Sequence, residues 1–150
     1  MPAKLSTGRS LLSLVAVTTS VGGYIADWNH THVYNPRWPP HAKFHNGQTM
    51  STGLLLGASA LYYLHRSTTL SPGSAVRDYL HLVVWLLSLN WIAQLSAVMY
   101  PGSLPTDPEF GDGFPQLGIC AVLFAIIGLG YFLERRHLTK AGMWHDAKHD

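Results

Sequence analysis

Four histidines, three asparagines and one aspartate are gathered between Asp27 and Gln48, in the string DWNHTHVYNPRWPPHAKFHNGQ. An imidazole beside a carboxylate is the side-chain pair best suited to moving a proton near neutral pH, because the acid orients the ring and balances the charge that the ring gains. Asp27 with His41 or His45 is therefore the expected proton-transfer group. Side-chain amides can bind a developing oxyanion or a substrate hydroxyl, which makes Asn29, Asn46 and Gln48 the expected positioning residues. Trp28, Trp38 and Tyr34 would wall a pocket or anchor the chain at a membrane interface, the usual place for such rings.

The same histidines allow a second chemistry. His30 and His32 form H-x-H, and His41 and His45 form H-x-x-x-H, which on a helix puts both imidazoles on one face as a metal site requires. Pro39 and Pro40 can start that helix, since proline is tolerated in a first turn. The alternative is thus a metal-dependent oxidase held by His30, His32, His41 and His45. Against it, the chain has nine histidines with no adjacent pair, whereas membrane di-iron hydroxylases use repeated H-x-x-H-H boxes. His65, His81, His137, His145 and His149 fall at the other end of the expected spans. No metal or other cofactor is called for. There is no G-x-S-x-G, Rossmann glycine pattern, P-loop or haem attachment motif, which disfavours acyl chemistry and nucleotide cofactors.

What holds these residues in place follows from composition. The chain has 150 residues, 47% hydrophobic and only 12% charged, about half the charge of a soluble domain. Apolar residues fall in four blocks, 11–26, 50–65, 79–100 and 115–133; the last two match the roughly 20 residues needed to cross a bilayer, and the first two are marginal and suit a thinner membrane. Unpaired backbone groups cannot face lipid, so helices are expected. The predicted fold is all-α: one domain, 1–150, forming a four-helix transmembrane bundle, with ordered polar loops on the noncytosolic side and a cytosolic tail, 134–150. Gly53 and Gly57 are spaced G-x-x-x-G and, with Gly128 and Gly130, suggest close helix approach. A cleavable signal peptide is a rival reading of the first block, since Lys4 and Arg9 precede Leu11–Val21 and small residues follow at Ser20, Gly22 and Gly23. No Ala-x-Ala site is present and apolar character resumes at Tyr24 and Ile25, so the block is read as a retained span. Cys120 has no partner cysteine and reads as packing.

Lysine and arginine set the orientation. With four spans, Lys4, Arg9, Arg66, Arg77, Arg135, Arg136, Lys140 and Lys148 share one side, and only Arg37 and Lys43 lie on the other. Both termini are then cytosolic, and residues 27–48 share the noncytosolic side with the loop PGSLPTDPEFGDGF. That loop carries Asp107, Glu109 and Asp112 and no cation, so it should pair with Arg37, Lys43 and the histidines as a lid. Asn90 and Gln94, four apart on the third helix, and Gln116 at the start of the fourth should face the same pocket, because a buried amide without a partner costs about 1–3 kcal/mol. The N-x-T sequon at Asn29 lies too near the membrane to be modified and is taken as chance. The net charge of +2 and the lack of a basic run with interleaved aromatics exclude nucleic acid as a partner.

The string ADWNHTHVYNPRWPPHAKFHNGQ, Ala26 to Gln48, resembles the signature of a family of small four-span membrane proteins, mostly fungal with bacterial relatives, to which no activity is assigned. The resemblance implies an accessory role in natural-product pathways, and an endoplasmic-reticulum setting is expected. The layout is similar to that of anthrone-oxygenase-like proteins and of the sterol isomerase and sigma-2 receptor superfamily, although the paired intramembrane acids of the latter are absent and only Asp27 could play their part. The expectation is a membrane protein that binds a lipophilic small molecule and works on it by acid/base chemistry: isomerisation, cyclisation, dehydration or cofactor-free oxygenation. The alternative is a non-catalytic accessory subunit or chaperone of larger membrane enzymes. Membrane lipids, a second copy of the chain or a membrane enzyme are the expected neighbours.

Overall fold

A computed structural model describes residues 5–66 and 73–144; Lys4, His145, Lys148 and His149 lie outside them. Four helices account for most of these residues: α1 (Thr7–Asp27), α2 (Pro40–Arg66), α3 (Gly73–Ser96) and α4 (Pro115–Lys140), with short 3-10 turns at Ala97–Met99 and Pro108–Phe110. No strand occurs among the described residues. The Ser6 side chain caps α1 by accepting from the Arg9 amide at 3.1 Å, the usual service of an N-cap serine. Proline opens both α2 and α4, where its missing N–H costs nothing. Gly142, at φ 69°, follows the end of α4 in a left-handed conformation that suits glycine.

The helices are longer than the apolar blocks. α2 begins at Pro40 rather than near residue 50, so His41, Lys43, His45, Asn46 and Gln48 become its first turns instead of a loop. α4 continues to Lys140, which draws Glu134 into the packed structure rather than into a tail. α1, the segment Ala75–Met99 and α4 are long and apolar enough to cross a membrane. α2 is the longest helix, but it is too polar along its length to belong to that group.

Each helix buries one seam. On α2 it is Asn46, Met50, Gly53, Gly57, Ala60 and Leu64, and on α4 Cys120, Leu123, Ile127, Gly130, Glu134 and Leu138. These alternate steps of three and four are the spacing of helices packed nearly in line. α1 packs against all three others, α3 lies between α2 and α4, and no contact joins α2 to α4. Small residues allow the closest approaches: a methyl on Gly57 would lie 2.4 Å from the Ala16 carbonyl oxygen, and one on Gly8 2.3 Å from the Glu134 amide nitrogen. Gly53 and Gly130 are also packed, against Thr19 and Leu12, but Gly128 faces open space and has no part in helix approach. Outside the seams the surface is apolar, with Leu14, Ile25, Leu55, Trp85, Val122 and Phe132 all exposed. A soluble protein rarely shows so large an apolar surface, and this one is compatible with a membrane setting.

One end of the bundle is closed by an ion pair. Arg9 Nη2 donates to Glu134 Oε1 at 2.8 Å, with both side chains buried, and the Ser6 hydroxyl donates to the other carboxylate oxygen. Burying two charges repays its desolvation only with such extra hydrogen bonds. The opposite end holds the polar residues between Asp27 and Gln48.

Candidate functional site

Asp27 is the last residue of α1, and the chain folds straight back over it. Its carbonyl accepts from the amides of Asn29 at 2.8 Å and Val33 at 3.2 Å, and the Tyr34 amide returns to the Asn29 carbonyl at 2.9 Å. This compact turn brings His32 to the Asp27 side chain, with Nδ1 3.9 Å from Oδ1. From α2, Asn46 Nδ2 donates to Asp27 Oδ2 at 2.8 Å. The other end of that amide, Asn46 Oδ1, is buried without a hydrogen bond. Buried polar atoms are nearly always satisfied, so an orphan acceptor marks a place where water or a ligand donor belongs.

The hydrogen bonds fix the tautomer of His32. Asn29 Nδ2 donates to the Ala26 carbonyl at 2.6 Å and its Oδ1 accepts from the Thr31 amide at 2.7 Å, which sets the orientation of the amide. The Thr31 hydroxyl, 2.6 Å from that same Oδ1, must spend its single proton there. It can then only accept from His32 Nδ1, which lies 2.6 Å from Thr31 Oγ1. A neutral His32 thus carries its proton on Nδ1, toward Thr31 and Asp27, and presents Nε2 as a lone-pair base.

A lid covers this group. The Trp38 ring stands edge-on to His32 with centroids 4.7 Å apart, and its indole N–H donates to Asp107 Oδ2 at 3.3 Å. Arg37 pairs with Glu109, also in the 101–114 loop. Gln116, at the start of α4, donates to the Pro105 carbonyl at 2.8 Å. Of the expected pairing between Arg37, Lys43 and the histidines and the three acids of the 101–114 loop, the ion pair formed among the described residues is Arg37 with Glu109; Asp107 takes the Trp38 indole N–H instead. Between the loops lies a cleft of about 250 Å³ lined by Asn35, Arg37, Trp38, Asp107, Pro108 and Glu109, smaller than the usual small-molecule site of about 300 Å³ or more. Asn35 is buried beneath it, accepting from the Arg37 amide at 2.9 Å.

Several expected residues are placed elsewhere. His41 and His45 do not meet Asp27; they face each other across the exposed side of α2, Nε2 to Nε2 at 3.0 Å, and His45 Nδ1 meets Gln48 Oε1 at 3.1 Å. The cause is helical spacing, because the four-residue step that pairs them turns both away from the buried Asn46 face. Asn29 has both ends of its amide spent on the turn, so it supports His32 instead of binding a substrate. Trp28 donates to the Tyr34 hydroxyl at 2.7 Å and stays exposed. Asn90 serves α2–α3 packing: an alanine methyl at Gly53 would come within 3.5 Å of its Oδ1. Gln94 is half-buried and takes no part in the Asp27 hydrogen bonds. The four-histidine metal alternative is not assembled, since His30 packs on Tyr34 and His32 on Trp38 while His41 and His45 pair together. Among the described residues no three histidine, cysteine or acidic side chains are grouped to hold an ion. Sequence reasoning missed Thr31 and Asn35; the signal is present, because Asn and Thr two residues apart are turn formers, and the Asn29–Thr31 pair is that turn rather than a chance sequon.

A family model described as "Family of unknown function (DUF6640)" matches residues 11–145 of the chain. No curated protein and no solved structure matches.

Proposed function

We propose, for a chain that belongs to the DUF6640 family of unknown function, an acid/base enzyme of membranes that acts on a lipophilic small molecule at the end of the bundle where Asp27 lies. The observation that carries this reading is the His32 imidazole, held in one tautomer by Thr31 and backed by Asp27. A base of this kind takes a proton at Nε2, and the positive charge that results lies beside the Asp27 carboxylate. The proton returns to another atom of the substrate, which describes isomerisation, cyclisation or dehydration and needs no redox partner. Asn46 Oδ1 is the acceptor for a substrate hydroxyl, and Trp38, edge-on to the His32 ring, walls one side of the base.

In this reading all four helices span the bilayer, α2 from about residue 50 onward, with its exposed polar first turns at the membrane interface. The excess of Lys and Arg at the Arg9–Glu134 end keeps both termini in the cytosol, so the His32 site opens to the noncytosolic side, in a setting such as the endoplasmic reticulum. The natural-product context suggested by the Ala26–Gln48 signature, shared with anthrone-oxygenase-like and sterol-isomerase-like proteins, supplies lipophilic substrates of the right kind.

The test is expression in a host that lacks the chain, followed by untargeted mass spectrometry of lipophilic extracts. His32→Gln and Asp27→Asn should abolish the new signal at unchanged protein level, while a His41→Ala, His45→Ala double variant should keep it. The reverse pattern would remove His32 from the chemistry. One observation favours a second reading, an accessory subunit: α2 exposes His41, His45, Gln48, Thr49, Ser51 and Thr52 on one side, a polar face that a membrane-enzyme partner would cover. Co-purification that survives His32→Gln but not substitutions on that face would support it.

A further inference from the structure

The first turns of α2 carry a pair of imidazoles that the His32 chemistry does not use. His41 and His45 are both exposed, and their Nε2 atoms stand 3.0 Å apart. A step of four along a helix brings two side chains to one face, but these rings approach in a more particular way than the spacing requires. Their planes are nearly perpendicular, at 78°, and their centres lie 4.5 Å apart, closer than two imidazoles meeting head-on at that nitrogen separation. The rings therefore converge at an angle on a point outside both. Phe44 steadies them, stacked on His41 at 6.1 Å and edge-on to His45 at 5.5 Å.

Gln48 settles which nitrogens carry protons. Its Oε1 can only accept, so His45 Nδ1, 3.1 Å away, holds the ring proton and Nε2 is left with its lone pair. The contact between the two Nε2 atoms then contains one proton, donated by His41. A metal-ligating histidine is arranged in the same way, with its second ring nitrogen tied to an acceptor that sets the tautomer. An ion about 2.0 Å from both nitrogens would see them at an angle of about 95°, close to the right angle between neighbouring ligands of a tetragonal ion and narrower than tetrahedral zinc prefers. Tetragonal nitrogen sites suit copper(II), which also heads the affinity order of the first-row divalent metals.

We propose that His41 and His45 form a two-histidine site for copper(II) at the start of α2, with Gln48 as its positioning residue. The ion takes the place of the shared proton: His41 gives up the proton on Nε2 and takes one from water on Nδ1, so both rings stay neutral and both Nε2 lone pairs bind. Because the helix already holds the second ring beside the first, the second bond forms within the molecule. The remaining coordination positions are open, which makes the site exchangeable rather than structural. It is not the four-histidine set, since His30 and His32 are engaged with Tyr34 and Trp38, and it stands or falls apart from the His32 chemistry.

His145 and His149 are also four apart in the sequence, so the test uses the full chain with both replaced by alanine, purified in detergent on a histidine-free tag. Copper(II) chloride is titrated in and followed by electron paramagnetic resonance. One copper per chain is expected, with an axial spectrum, hyperfine structure from two imidazole nitrogens, and retention against two equivalents of free imidazole. Gln48→Leu should lower the affinity about tenfold, the lower end for loss of an outer-shell partner, while Gln48→Glu, which still accepts, should keep it. His41→Ala or His45→Ala should lower it further, and His30→Ala should leave it unchanged. Size-exclusion profiles check folding; if a histidine variant aggregates, the nitrogen count and the imidazole competition on the parent chain decide. Copper bound equally by the His41→Ala, His45→Ala double variant, a spectrum with one coordinated nitrogen or none, full transfer to free imidazole, or an affinity unmoved by Gln48→Leu would overturn the proposal.

Discussion

Replacing Gly57 by alanine tests the helix contact on which the Asp27 site depends. A methyl there would lie 2.4 Å from the Ala16 carbonyl oxygen and 2.8 Å from the Ser20 amide nitrogen, where real contacts stay beyond 3.0 Å. Both atoms are backbone, so no rotamer change relieves them and α1 must move away from α2. Overpacking of this kind costs about 1–3 kcal/mol, and backbone clashes belong at the upper end. Alanine recovers about 1 kcal/mol of helix propensity, which leaves a net loss near 2 kcal/mol. At about 2–4 °C per kcal/mol for a chain of this size, the melting temperature in detergent should fall by roughly 4–8 °C. Fluorescence-detected size-exclusion after heating measures it. Gly128→Ala is the control, since nothing lies within 4 Å of its added methyl, and it should hold or raise the melting temperature. If Gly57→Ala melts with the wild type, or both variants fall equally, the α1–α2 contact is not as described, and the Asn46–Asp27 hydrogen bond that depends on it goes too.

Glu134→Ala removes the carboxylate facing the buried Arg9 guanidinium and should cost about 3–5 kcal/mol, while Arg9→Met combined with Glu134→Leu should recover most of it; unfolding in detergent compares the three chains. Thr31→Val deletes the acceptor that holds the His32 proton on Nδ1, so nitrogen-15 histidine spectra should show His32 shifting toward the Nε2–H tautomer, and an unchanged spectrum would refute the assignment. Glu109→Gln breaks only a partly exposed pair with Arg37, and melting should change by no more than the equivalent of about 1 kcal/mol.

The all-helical class and the approximate ends of α1 and α4's first turn were legible because long apolar runs bounded by Asp27 and Pro115 leave few alternatives. One loop contact was legible as well: Arg37 finds one of the three carboxylates of the 101–114 loop, Glu109, once both lie at the same end, while the Trp38–Asp107 hydrogen bond was not foreseen. The start of α2 was blurred because polar residues hide a helix from a hydropathy reading, even where two prolines announce it. Which histidine meets Asp27 was not legible at all. Periodicity pairs His41 with His45 correctly but does not say that the pair points outward, and His32 reaches Asp27 through a turn whose hydrogen bonds come from Asn29 and Thr31. The Arg9–Glu134 contact was equally hidden, since nothing local links residues so far apart in the chain.

That contact bears on how the molecule is made. Arg9 is synthesised 125 residues ahead of Glu134, so the guanidinium is made well before the carboxylate that pairs with it. The bundle is sealed only when α4 arrives. A chain that stops short of Glu134 therefore lacks the buried contact that ties the start of α1 to the last turns of α4.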